Sequence, residues 1–390
     1  MDRPTAPTLD PQTPFLRDGA AQALCQTLED GGHRALFVGG CVRNAVMGLP
    51  ASDLDISTDA LPDRVVALAT AAGFRAVPTG IDHGTITVVV DDTPLEVTTF
   101  RRDVATDGRR AVVAFSKDVK EDALRRDFTM NALYADRYGA ITDPLGGMPD
   151  ALARYVRFIE DAGARIREDY LRTLRYFRFH ATYADPQMGW DTDALDGIAS
   201  NLDGLETLSA ERVGSEVLKL LSVPDPSPAV AVMDQTGVLA RILPGAVPDL
   251  LAPVVHLEGL VQTAPDPLLR LAAIGGVDVS DRLRLSRKDS RTFDSIREHC
   301  ASPLGAQSLG HIAGKQAGLG AALLRSAMAN QPLNAEDVVA VVQGADTPFP
   351  ISAKDLPDLS GPVLGERLQA LKADWLASNL TKSKNDLLAP

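Results

Sequence analysis

The feature that most constrains this chain is the stretch from Leu36 to Thr58, LFVGGCVRNAVMGLPASDLDIST. An apolar run from Ala35 to Val38 has the length of a short buried strand, and Gly39-Gly40 ends it in a tight turn. Val42 to Met47 then begin a helix. A helix that starts after a glycine turn leaves backbone N–H groups without intrahelical partners, and such groups suit a phosphate. Arg43 adds a planar, permanently charged donor fork beside them. Asp53 and Asp55 lie two apart in a strand-like segment, with apolar Leu54 and Ile56 between and after them. A side-chain period of two puts both carboxylates on one face, about 7 Å apart at Cα. Two hard oxygen donors on one face suit Mg²⁺, which binds through one or two carboxylates plus substrate phosphates. Alone, each half reads as an ordinary turn or a solvated strand end. Together, with Arg43 between them, they point to a nucleotide site.

The segments around this stretch predict a small mixed sheet with helices. Phe15 to Leu28 reads as an amphipathic helix. Asp63 to Ala72 reads as another, entered after Pro62 and stopped at Gly73. Strands are expected over Phe74 to Val77, Thr85 to Val90 and Leu95 to Thr99, the last two joined by a turn at Asp91-Asp92-Thr93-Pro94. Glu96 alternates onto one face of the last strand, facing either solvent or the aspartate pair. Phe100 to Phe115 carries two arginine pairs with little periodicity and reads as a mobile loop, of a length that is often functional. Lys117 to Leu124 is a short charged helix leading into RRDFTMNA (125–132). Leu133 to Ala135 and Ala140 to Thr142 form a hairpin, and a turn at Asp143 to Gly147 closes a first domain.

From Ala151 onward strand signals nearly vanish. Ile166 to Tyr183 reads as one helix, with Asp169, Arg172 and Arg175 near one face and Leu171, Leu174 and Phe177 on another. Ser209 to Leu221 reads as a helix capped at Ser209. Further helices are expected over 229–236, 267–274, 290–300, 321–329, 335–343 and 364–376. Both ends, Met1 to Pro14 and Ser378 to Pro390, read as frayed.

Composition narrows the class. A chain of 390 residues predicts more than one domain. Its formal net charge of −13 argues against a general nucleic-acid coat protein, which is basic. A local basic groove is still compatible, because steering depends on where charge lies. The arginines do cluster, at 101, 102, 109, 110, 125 and 126 and then repeatedly between 154 and 178. No apolar stretch approaches the roughly 20 residues of a membrane span, so no membrane partner is expected. Met1 to Pro14 lacks an apolar signal core. Cys25, Cys41 and Cys300 are too widely spaced for a metal-ligand pattern and suggest a reducing, cytoplasmic setting.

The blocks VGGCVRNAVMG…SDLDIST, GTITVVV…LEVTTFRRD…TDGRR, RRDFTMNAL and REDYLRTLRYFRF, in this order and spacing, resemble the class II tRNA nucleotidyltransferase/poly(A) polymerase family. SAERVGSEVLKLL resembles the helix that follows in that family, and beyond about Leu239 the likeness is only helical. The resemblance implies an α+β head of the nucleotidyltransferase fold over 1–150. It implies an all-α neck that recognises the base over 151–225, and a helical, tRNA-binding body and tail over 226–390. The implied reaction adds C, C and A to the 3′ end of tRNA from CTP and ATP, with Mg²⁺ and no nucleic-acid template. Gly39, Gly40 and Arg43 would hold the triphosphate, and Asp53 and Asp55 would bind Mg²⁺ as the catalytic pair. Arg126, Asp127 and Asn131 would contact phosphate and ribose. Asp169, Arg172 and Arg175 would read and hold the incoming nucleotide, and Arg101 to Arg110 would be the flexible loop tied to the switch from C to A.

Base choice then follows from counting donors and acceptors. Cytosine and adenine each present an amino donor beside a ring-nitrogen acceptor, which a carboxylate and a guanidinium complement; uracil and guanine present the reverse order. Two departures stand out: Asn44 occupies a position where many members have Asp, and 161–164 differ from the usual approach to the neck. No His-Asp phosphohydrolase motif occurs in the C-terminal half, so no attached phosphatase activity is expected. The competing readings are a poly(A) polymerase of the same family, a CC- or A-adding specialist, and a non-catalytic RNA-binding protein that keeps the fold.

Overall fold

The computed structural model describes residues 7–50, 53–107 and 110–389, and the chain divides into two compact units, Met1–Leu205 and Glu206–Pro390. In the first unit, α1 (Gly19–Asp30) precedes β1 (Ala35–Val38), α2 (Gly40–Val46), β2 (Asp55–Thr58) and α3 (Pro62–Ala71). Then come β3 (Arg75–Gly80), β4 (Thr85–Val90), β5 (Thr93–Thr99), β6 (Arg101–Asp107) and β7 (Arg110–Phe115). They are followed by α4 (Val119–Leu124), β8 (Tyr134–Ala135), β9 (Ile141–Thr142), α5 (Met148–Ala153), α6 (Ala162–Glu168), α7 (Leu171–Tyr183) and α8 (Thr192–Ala199).

Seven strands form one mixed sheet in the order β3-β4-β5-β2-β1-β8-β9. Only β2 and β5 run parallel; every other neighbour is antiparallel. The interior strand β1 is apolar at all four positions and buried at all four, as a strand covered on both faces must be. At the β4–β5 turn, Asp91 and Asp92 both have positive φ, 45° and 64°, the primed-turn geometry whose twist matches two paired strands.

Three sequence expectations change here. The stretch 100–115 is not an irregular loop: β6 and β7 pair antiparallel as a separate two-stranded ribbon. Strand β6 carries arginines, aspartates and threonine among few apolar residues, so no strong apolar period marks the ribbon in the sequence. Arg109 lies outside the described residues. The helix expected over 166–183 is two, α6 and α7, because Asp169 between them is extended at φ −154° and ψ 104°. Residues 7–14 are also tied down. Leu9 is buried and its N–H donates to the Gly139 carbonyl, while the Ile141 N–H donates to Pro7.

The second unit is helical. It holds α9 (Ala210–Leu221), α10 (Ser227–Gln235), α11 (Val238–Ile242), α12 (Leu251–Leu260), α13 (Pro267–Ile274) and α14 (Val279–Arg282). After these come α15 (Arg287–His299), α16 (Ala306–Ala329), α17 (Ala335–Asp346), α18 (Gly361–Ala377) and α19 (Lys384–Leu388). Ser209 occupies the cap position of α9 without a capping side-chain bond. Arg270, fully buried on α13, gathers this unit. It pairs with Glu258 at 2.8 Å and donates to the carbonyls of Leu221, Val223 and Pro224. Saturating its donors in this way keeps the buried charge tolerable. Residues 378–389 are not frayed. A capping box at Ser383 starts α19, and Leu387 packs with Ile351, Leu371 and Trp375. Among the described residues no helix is long and apolar enough to cross a membrane.

Candidate active site

Gly39 adopts φ 73° and ψ −123°, a region L side chains avoid, and so permits the turn from β1 into α2. Its own N–H is spent on the Leu133 carbonyl at 3.2 Å. A Cβ at Gly39 would stand 3.3 Å from Arg126 Nη1, so the Arg126 guanidinium lies directly over the turn. That cation is held from below. Asp122, with no exposed surface, accepts from Arg126 Nη2 at 3.2 Å, Arg125 Nε at 2.9 Å and the Tyr134 hydroxyl at 2.8 Å. Burial alone would raise the Asp122 carboxyl, but the two arginines and the tyrosine hold it below the usual carboxylate range.

The structure places Arg43 behind the turn, where it is buried. Its Nη1 donates to Asn131 Oδ1 at 2.5 Å, and Nε and Nη2 donate to Asn44 Oδ1 at 3.1 and 2.8 Å. Nη2 also donates to the Tyr183 hydroxyl at 2.8 Å. Asn131 passes the connection on, its Nδ2 donating to Asp127 Oδ1 at 2.9 Å. Asp127 Oδ2 in turn accepts from Arg175 Nε and Nη2 at 2.8 and 2.6 Å. Burial penalises the Asp127 charge, yet Arg175 and Asn131 outweigh it and keep the carboxyl ionised far into acid. Four of the expected residues, Arg43, Asn131, Asp127 and Arg175, thus form one continuous polar chain.

The carboxylates sit on the neighbouring edge. Strand β2 begins at Asp55, with Asp53 just before it, and Asp55 stands opposite Glu96 in the parallel pair β2–β5. Burial and then the Glu96 charge push the Asp55 carboxyl up; Arg126 opposes this and Asp53 adds to it. Among the described residues no three His, Cys, Asp or Glu side chains form a ready metal cage. The donor set nevertheless fits a divalent ion. Asp55 is crowded by two like charges, a deficit that a cation would relieve, and the remaining ligands would come from a substrate's phosphates.

Asp169 and Arg172 are neighbours at the α6–α7 break. The Asp169 carboxylate accepts from the Leu171 N–H at 3.1 Å. Arg172 pairs with Glu168 at 2.6 Å and donates to the Arg165 and Arg125 carbonyls at 2.9 and 3.1 Å. A salt bridge runs from Glu168 to Arg172, and Asp169 lies just outside the helix that carries Arg172. Sequence reasoning passed over Asp122, Tyr134 and Tyr183. Asp122 alone carried a local signal, lying three and four residues before Arg125 and Arg126 on a helix.

Residues 35–157 match the Poly A polymerase head domain, and 191–250 match a probable RNA and SrmB-binding site of polymerase A. The mitochondrial CCA tRNA nucleotidyltransferase 1 of Mus musculus is 31% identical over 94% of this chain and 88% of its own length. The chain belongs to the class II CCA-adding enzyme/poly(A) polymerase family. Within that family, the CCA-adding enzyme of Geobacillus thermodenitrificans is 39% identical over 58% of this chain and 54% of its own length. The crystal structure of the Bacillus stearothermophilus CCA-adding enzyme in complex with CTP superposes with a TM-score of 0.71 at 28% identity. It covers 94% of this chain and 93% of that one, so the mixed-sheet head and helical remainder are a family property.

Proposed function

We infer that this chain is a CCA tRNA nucleotidyltransferase, adding C, C and A to the 3′ end of tRNA from CTP and ATP and releasing pyrophosphate. The observation that carries the chemistry is the placement of Asp55 between Asp53, Glu96 and Arg126, the last of which overlies the Gly39 turn. In this reading the tRNA 3′-OH attacks the α-phosphorus of the bound nucleotide. Gly39 and Gly40 let the triphosphate approach the backbone, and Arg126 balances its charge, held in place by Asp122. Asp53 and Asp55 would hold Mg²⁺, which when bound stabilises the leaving charge and lowers the pKa of the attacking hydroxyl. Glu96 is the nearest further carboxylate and the candidate for accepting the hydroxyl proton.

Asp169 and Arg172 would meet the Watson–Crick edge of the incoming base. Arg172 is braced by Glu168 and two backbone carbonyls, so its planar fork is oriented before a base arrives. Asp127, Asn131 and Arg175 support the ribose side. Residues 1–150 would serve as the head, 151–225 as the neck and 226–390 as the tRNA-binding body and tail. Cys25, Cys41 and Cys300 are all buried free thiols, and on that usage we assign the chain to the cytoplasm.

The test is incorporation of each labelled nucleotide onto tRNA ending before CCA, in C, and in CC. Two C additions, one A and a stop are expected. Repeated A addition to any RNA end would make the chain a poly(A) polymerase, and C alone or A alone a specialist.

A further inference from the structure

Among the contacts that fasten helix α7 to the head, two lie about two turns apart. One is Arg175 on Asp127. The other is Tyr183, the last residue of the helix, which nothing in the proposed chemistry uses. Its hydroxyl accepts from Arg43 Nη2 at 2.8 Å, and its ring lies under the same guanidinium, 4.0 Å from the ring centroid. Phe179, one turn earlier, presents its ring to that guanidinium at 5.3 Å. Arg43 belongs to α2, the helix that leaves the Gly39–Gly40 turn, and it also holds Asn131.

A cation buried between aromatic rings and hydrogen-bonded to one of them gives a stiff, directional contact. Burial lowers the tendency of Arg43 to hold its proton, and the Tyr183 oxygen and Asp127 counter that.

We propose that Tyr183 is a positioning residue for base selection: through Arg43 it fixes the register of α7 against the phosphate turn. This rests on the nucleotidyltransferase reading above. Arg172 and Arg175 project from α7, while Gly39 and Arg126 define where a triphosphate would lie. The distance between base edge and α-phosphorus is set by the nucleotide, so the protein must hold the two recognition points at a matching separation. If α7 slides or tilts, a correct base loses its fit and an incorrect one is penalised less. Small misplacements of this kind cost reactivity steeply.

The experiment compares wild type, Tyr183→Phe and Tyr183→Leu on tRNA ending before CCA. It measures kcat and KM for CTP, the ratio of CTP to UTP incorporation, and Tm. Tyr183→Leu removes both hydroxyl and ring. It is expected to raise KM for CTP and to lower the CTP-to-UTP ratio by about tenfold, equivalent to about 1.4 kcal/mol. Tyr183→Phe keeps the ring under the guanidinium and is expected to retain most of the selectivity. An unchanged ratio in Tyr183→Leu, whether or not Tm falls, overturns the proposal, because a merely structural contact lowers the folded fraction without altering base choice. A Phe variant as unselective as the Leu variant overturns the role of the ring. Failure of wild type to add C, C and A would instead refute the underlying reading.

Discussion

Asp55 carries a cost that its setting explains. Buried beside Glu96 and Asp53, its carboxyl is raised, so the folded protein takes up a proton there more readily than the unfolded chain. The ionised form therefore destabilises the fold at neutral pH, and the penalty fades as pH falls through the raised pKa. Asp55→Asn should melt above wild type at pH 7, and the difference should narrow in acid, while incorporation falls at least about a hundredfold. Millimolar Mg²⁺ should raise the Tm of wild type and leave that of Asp53→Ala unchanged, with incorporation lost in the variant. Equal stabilisation of both proteins would remove Asp53 from the metal site. Asp122 has the opposite sign. Its depressed pKa contributes stability that is present at neutral pH and lost as pH falls through the folded value. Asp122→Ala strands two guanidinium groups and should cost up to about 3 kcal/mol, read from denaturant unfolding. At this scale the sequence is legible where residue type and spacing alone draw attention, as with the paired aspartates 53 and 55. It is opaque for Arg43, whose role depends on Asn131 and Tyr183, 88 and 140 positions away.

Elements were legible wherever one face is buried. The period-two strand β4 and the helix α13 run over the residues that their apolar patterns predict. The failures share a cause: pairing or capping that leaves little apolar imprint. Ribbon β6–β7 pairs mainly with itself, and α6 and α7 are separated by two residues, extended Asp169 and then Tyr170, inside an otherwise helical pattern. The ribbon makes a definite prediction, since the family resemblance ties this segment to the switch from C to A. Replacing 103–110 with a short Gly-Ser turn should leave both C additions intact and abolish A addition, as seen on a sequencing gel. Full CCA synthesis by that variant would free the ribbon of any part in the switch. At the C-terminus, α19 covers Trp375, which also meets the Phe349 ring at 5.3 Å and the His311 ring at 4.9 Å.

At the scale of the whole molecule, charge is segregated despite a net charge of −13. Residues 282–297 hold six cations, at 282, 284, 287, 288, 291 and 297, against Asp289 and Asp294. All six side chains belong to exposed residues of the helical unit assigned above to tRNA binding. Two have partners within the protein: Arg284 pairs with Glu211 at 3.2 Å, and Arg297 donates to the Ala272 carbonyl at 3.1 Å. Arg287, Lys288 and Arg291 share the first turns of α15, where an acidic protein would keep a cation cluster for a polyanion. Phosphate contacts release counterions, so each one lost flattens the salt dependence of binding by about one unit of slope. Replacing the three with Glu should weaken tRNA binding and cut the slope of log K against log salt by roughly two to three. Incorporation at saturating tRNA should stay within about threefold of wild type, since none of the three belongs to the nucleotide site. An unchanged slope would mean that α15 only solvates the helical unit, and the RNA would have to be held by other cations of the chain.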